Sequence, residues 1–219
     1  MPRKIVLLLA GVGEEGDAAL AAEAEHLRLS LTDVRAARAL PGAAPAETEH
    51  GVTMVGWQAA VEATAADDDA AIAAVAGAAR RLGTAVDAAA SAVVLGTEHE
   101  IADRGGGPLT LYYALRRKPE STTAAFSARY LDVHSQFGLA SHGWSSYHQL
   151  HADPVASERA AAAAGFGVAD IDGLSQLSFA DETGMIEMFA PTPEARAAIE
   201  DEQKFTDGGR NSGFVAREL

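Results

Sequence analysis

Phe126, Tyr130, Val133, His134 and Phe137 recur at spacings of three and four, which places them on one face of a helix. A histidine one turn from a tyrosine on a face that must be buried is unusual core material. Imidazole titrates near neutrality and can take or give a proton. Arg129 and Asp132 fall off the stripe and are expected to face water. A second polar and aromatic group follows, with Trp144, Tyr147, His148 and His151 at or beside a strand over Ser145–Ala152. Side chains alternate along a strand, so Tyr147 and His148 cannot both line one cavity. Gln176 and Ser178 share a face of a later strand with Leu174.

These residue types suit proton abstraction beside a carbonyl, aldol-type cyclisation, dehydration or decarboxylation, none of which needs a cofactor. His134 is the candidate general acid/base. Tyr130, Tyr147 or His148 would orient it or bind the substrate oxygen, and Gln176 and Ser178 would add hydrogen bonds. Trp57, Phe126, Phe137, Trp144 and Phe205 are candidate pocket walls. The structural alternative is that His134 donates to a backbone carbonyl and packs helix on sheet. His148 and His151 could pair with His134 or Glu218 around a metal, but a spacing of three suits a helix better than a strand, and no metal site is expected. A haem would take His134 as axial ligand; the expectation is no cofactor. Asp201, Glu202, Asp207 and Arg210 are expected to cap the last helix and pair with each other, and Asp67–Asp69 to start a solvated helix.

The elements that must position these groups come in two similar series. The first reads strand Lys4–Ala10, helix Asp17–Leu29, strand Leu31–Leu40, loop Pro41–Gly51, strand Thr53–Ala63, helix Asp67–Leu82 and strand Ser91–Ala102. Asp103–Pro108 is a linker. The second reads strand Leu109–Leu115, a helix capped by Ser121 or Thr122, strand Ser145–Ala152, a short alanine helix or loop over Ser157–Ala164, strand Gly173–Ala180, a helical stretch Asp181–Phe205 broken at Pro191-Thr192-Pro193, and strand Ser212–Glu218. Each half is therefore β-α-β-β-α-β, the ferredoxin-like order. The predicted fold is α+β, with halves 1–104 and 105–219 whose sheets pack into an α/β barrel around a ligand cavity.

Net charge is −14, from 31 acidic and 17 basic residues, which argues against nucleic-acid and anionic-membrane partners. The expected partner is a small hydrophobic molecule, with a homodimer of the two-half chain as a further option. There are no cysteines, so thiol chemistry and disulfides are excluded. The opening MPRKIVLLLAG looks like the start of a signal peptide, but acidic residues follow its short apolar run, and a buried strand in a cytoplasmic protein is the better reading.

The segment RRKPESTTAAFSARYLDVHSQFG resembles the opening of an EthD-type domain of the dimeric α/β-barrel superfamily. The ending DEQKFTDGGRNSGFVARE resembles the same family's C-terminal signature, and Asp172-Gly173 its element before a strand. The resemblance spans roughly 109–219. Residues 1–104 lack the Val-His helix and look like a degenerate second copy that completes the barrel. The resemblance implies a cofactor-free barrel with an apolar pocket and relatives that include polyketide cyclases, decarboxylases, dehydratases, cofactor-independent monooxygenases and, more distantly, haem enzymes. Cyclase, dehydratase or lyase chemistry on an apolar or aromatic carbonyl compound is the leading expectation. A cofactor-free monooxygenase and a non-catalytic binding protein are the rivals. One asymmetric site in the C-terminal half is expected.

Overall fold

The computed structural model describes residues 2–13, 16–41 and 56–219. In chain order the strands and helices begin with β1 Arg3–Ala10, α1 Gly16–Arg28, β2 Thr32–Ala39, β3 Trp57–Ala65, α2 Asp68–Val75, α3 Ala78–Leu82 and β4 Asp87–Asp103. They continue with β5 Leu109–Leu115, α4 Thr123–Arg129, a π-helical turn Tyr130–His134, α5 Ser135–Ala140, β6 Ser146–Ala152 and α6 Pro154–Ala164. The last are β7 Gly173–Phe179, α7 Glu182–Met188, α8 Pro193–Glu202 and β8 Ser212–Glu218. The predicted helix over 67–82 starts where expected, with Asp67 accepting from the Ala70 N–H at 2.8 Å, but breaks at Gly77 (φ +72°) into α2 and α3. The loop expected at Pro41–Gly51 lies, Pro41 apart, outside the described residues, as does the start of the strand expected at Thr53.

All eight strands close into one antiparallel barrel in the order β1-β3-β2-β8-β5-β7-β6-β4. Residues 3–103 supply four adjacent staves and residues 109–218 the other four. One seam is short, running from Ala37↔Glu218 to Ala39↔Ala216 between β2 and β8. The other is made by the length of β4, whose first part pairs with β1 and whose last part, Gly96–Asp103, pairs with β6. Closure leaves no edge strand among the described residues.

Strand alternation divides the side chains cleanly. Val6, Leu8, Ala60, Val94, Leu150 and Leu174 point into the barrel, where Trp57 and the stacked pair Tyr112–Phe214 fill the space. Ile5, Leu7, Leu9, Val61, Val93 and Leu95 point outward under α1, α2 and α6. Both faces of β1 are thus buried, which explains its unbroken apolar run. The helices over this side are rich in alanine, so their backbones sit close to the sheet. On the other side β5, β6 and β7 are covered by α4, α5, α7 and α8, whose side chains are longer and whose connections carry prolines.

Candidate functional site

A cavity of about 490 Å³ opens between the outer face of β5–β7 and the layer formed by α5, α8 and the Met188–Thr192 connection. It therefore lies outside the barrel wall. The expectation of a pocket between the sheets is corrected: the barrel interior is occupied by its own side chains, and the hollow lies under α8, whose cavity-facing positions include the short side chains of Ala195 and Ala198.

His134 reaches this cavity because the helix is not regular there. The π turn Tyr130–His134 has the Ser135 N–H bonded back to the Tyr130 carbonyl, five residues away. That wider turn brings His134 and Ser135 inward and leaves Val133 40% exposed, so Val133 does not belong to the buried stripe. Gln149 Nε2 donates to the same Tyr130 carbonyl at 3.0 Å and ties the turn to β6. Thr122, rather than Ser121, caps the helix start by accepting from Ala125 N–H at 3.1 Å. Tyr130 and Phe126 lie directly over Gly173, where a Cβ would come within 2.9 Å of the Tyr130 ring.

Around the cavity, His134 Nδ1 lies 3.2 Å from Asp201 Oδ2, and Asp201 also binds Arg129 and has Lys204 at 3.6 Å. Burial alone would raise the Asp201 carboxyl; the hydrogen bonds from Arg129 and His134 outweigh it and hold the group below the usual carboxylate range. Since Asp201 is then a carboxylate, the Nδ1 of His134 carries the proton and donates it. Burial lowers the His134 pKa, with Asp201 offsetting part of that, so the ring is neutral near pH 7. Its Nε2, with no hydrogen-bond partner among the described residues, is left as a base.

Glu202, the next residue, also lines the cavity. Its Oε1 accepts from Tyr113 Oη at 2.7 Å and from Asn211 Nδ2 at 2.8 Å. Burial raises this carboxyl, and the two donors offset only part of the rise. Tyr147 lines the opposite wall and accepts from Gln149 Nε2 at 2.6 Å; burial pushes its hydroxyl up to about 12, so it stays a neutral donor. Asp201 and Glu202 therefore do not pair with Arg210 as expected, because Arg210 binds Asp170 instead. Arg129 is drawn from solvent by Asp201, while Asp132 stays exposed.

Among the predicted site residues, His134, Tyr147 and Phe137 are brought together at the cavity. Phe126 and Phe205 form the packing behind His134, with the Phe205 ring 5.2 Å from the imidazole. Trp144 packs beside Tyr147 and donates to the Gly138 and Ser141 carbonyls. Tyr130 is fully buried, its hydroxyl 2.7 Å from Ser175 Oγ. Trp57 belongs to the barrel-interior cluster, and His148, Gln176 and Ser178 stand on barrel-facing positions, on the far side of the wall, because they share parity with Leu150 and Leu174. There Gln176 binds Glu62, and Lys4 bridges Glu62 and Glu98 at 3.5 Å each. His148 and His151 point to opposite faces, which removes the metal pair considered from sequence. No three His, Asp or Glu side chains converge as metal ligands among the described residues.

His151 stacks on Tyr130 at 4.8 Å and pairs through Nε2 with Gln149 Oε1 at 3.1 Å. Burial, with help from the neighbouring His99, lowers its pKa to about 4. A folded-state pKa below the unfolded value of about 6.5 means that the unfolded chain binds the proton first. Stability is therefore lost as pH falls from about 6.5 towards 4, by about 2–3 kcal/mol from this group. Urea unfolding at pH 7.5 and 4.5 checks this. The difference between the two pH values should shrink in His151→Phe by that amount; an unchanged difference would refute it.

No curated protein matches the chain in sequence. The fold is shared with several solved structures. An anthrone oxidase-like protein aligns with a TM-score of 0.62 at 9% identity over 100% of this chain and 91% of its own. A candidate monooxygenase from Lactobacillus acidophilus NCFM aligns at 0.52 and 10% identity over 99% and 93%. A chlorite dismutase from Candidatus Nitrospira defluvii aligns at 0.53 and 9% identity over 100% and 90%. With its closed barrel and outer helices, the chain has the dimeric α/β-barrel fold, built here from a single polypeptide. Residues 118–209, the segment that carries His134, Tyr147, Asp201 and Glu202, match the EthD domain family model. Among the described residues no helix is long and apolar enough to cross a membrane.

Proposed function

We propose that this chain is an acid/base enzyme of lyase, cyclase or dehydratase type that works without a cofactor on a small apolar or aromatic carbonyl compound. The observation that carries the reading is the His134–Asp201 pair: a neutral imidazole, fixed through Nδ1 by a buried carboxylate, with its basic nitrogen free beside an apolar cavity. His134 Nε2 removes a proton from the carbon next to the carbonyl, and Asp201 stabilises the imidazolium that results. Tyr147, a neutral hydroxyl, donates a hydrogen bond to the enolate oxygen, and burial, which raises the Glu202 carboxyl, favours the protonated form that could add a second. The apolar walls exclude water and favour a flat, hydrophobic substrate.

The test is proton exchange. Incubated in D₂O with 2-tetralone, an aromatic ketone with an acidic α-carbon, the protein should speed loss of the α-proton NMR signal, and His134→Gln should abolish the gain. Relatives described as monooxygenase and anthrone oxidase-like support a second reading, oxygen chemistry on an activated phenol in the same cavity. Oxygen uptake with anthrone and no exchange with 2-tetralone would replace the first reading by the second. Binding of either compound with no turnover would leave a binding protein, and a His134-dependent Soret band on adding haemin would overturn the cofactor-free reading.

A further inference from the structure

Along α8 the cavity-facing positions are Ala195, Ala198, Ile199 and Glu202, a stripe at helical spacing. Arg196 flanks that stripe at the cavity rim and is exposed. Its guanidinium has no carboxylate or other partner among the described residues. Within residues 109–219 that is a departure. Arg116, Arg117, Arg129, Arg210 and Arg217 of the same half each hold an acidic side chain. The exposed carboxylates of its own helix, Glu194 and Glu200, do not line the cavity. Thr192 and Ala195, at the start of α8, do line it, so the positive end of the helix dipole lies on the same rim.

We infer that the substrate is an amphipathic acid: its apolar or aromatic body fills the cavity, its carboxylate meets Arg196 at the rim, and its reacting carbonyl lies at the Glu202–His134 end. This rests on the cavity being the substrate site. The helix also sets a length. Six residues separate Arg196 from Glu202, which is about 9 Å along the axis. A carboxylate and a ketone on opposite ends of a two-ring aromatic system match that span. Arginine suits this role because its planar fork recognises a carboxylate through two parallel hydrogen bonds.

The test compares 6-acetyl-2-naphthoate with its methyl ester by equilibrium dialysis at pH 7.5. The two probes share the ring system and ketone and differ only in the charge at the far end. Wild type should bind the acid about fivefold more tightly than the ester. Arg196→Gln, at an exposed position without an ion pair among the described residues, should bring the ratio close to one, and Arg196→Lys should keep part of it. The same ratio in wild type and Arg196→Gln, with both probes bound, overturns the inference and leaves the cavity reading standing. Failure of folded wild type to bind either probe overturns the cavity reading itself and the inference with it.

Discussion

His134→Gln is expected to lower the rate of α-proton exchange by about 10²–10⁴-fold, the usual contribution of a positioned general base. Glutamine keeps roughly the volume behind Phe205 and can still meet Asp201, so the fold should persist and the loss should lie in kcat. Asp201→Asn is expected to cost nearly as much although Asp201 touches no substrate. Arg129 would hold the asparagine carbonyl, turning its NH₂ towards His134 Nδ1. The imidazole would then have to accept at Nδ1 and carry its proton on Nε2, the wrong tautomer for a base. The pH profile separates this positioning role from a structural one. In wild type the rate should fall as His134 protonates, below about pH 6.5 because burial lowers its pKa. In Asp201→Asn the residual rate should lose that acid limb. A His134→Gln protein that exchanges protons at the wild-type rate would end the acid/base reading.

Why these two residues meet was only partly legible in the sequence. His134 stood out because a titratable ring occupied a buried helical stripe. Asp201 and Glu202 did not, since adjacent acids late in a helix read as solvated charge. Only the fold brings Asp201 to partners 67 and 72 positions earlier. Strand alternation correctly separated Tyr147 from His148. It could not say which face was hollow, because both faces of every central stave are covered here, one by the opposite strands and one by helices. A closed sheet points to its interior as the ligand space, and only that expectation makes Trp57, Gln176 and Ser178 site candidates.

The elements themselves were more visible. Leu109–Leu115 and Ser212–Glu218 fall where turn residues and β-branched or aromatic runs put them. The one local surprise, the π turn, cannot come from periodicity, since a single wide turn leaves the flanking helical pattern intact. It is what turns Val133 out and His134 in. Its stabilisation depends on Gln149, a residue on another strand, so no local window contains the reason for it. The N-terminal half lacks the aromatic stripe: the buried positions of α1 are Gly16, Leu20, Glu23, Ala24 and Leu27, and they pack directly on the sheet.

Tyr130 supplies the complementary test, because its position in the helix first suggested a catalytic part and its surroundings describe a structural one. The ring packs 5.5 Å from Phe126, stacks 4.8 Å from His151 and covers Gly173, with no exposed surface. Tyr130→Ala should therefore cost about 3–5 kcal/mol, the range for emptying a buried aromatic site. For a chain of this size that corresponds to a fall in Tm of about 6–20 °C. Tyr130→Phe keeps the ring and removes only the hydroxyl that meets Ser175 Oγ at 2.7 Å, so its cost should be about 1 kcal/mol. Burial raises the Tyr130 hydroxyl far above its ordinary value, which makes it a poor proton donor or acceptor in catalysis. Tyr130→Phe should accordingly exchange substrate protons within about threefold of wild type per folded molecule, well short of the loss of a catalytic acid or base. A loss of a hundredfold in this variant, with its melting temperature nearly unchanged, would return Tyr130 to the catalytic group. It would also require that the Tyr130–Ser175 pair, rather than Tyr147 and Glu202, bind the substrate oxygen.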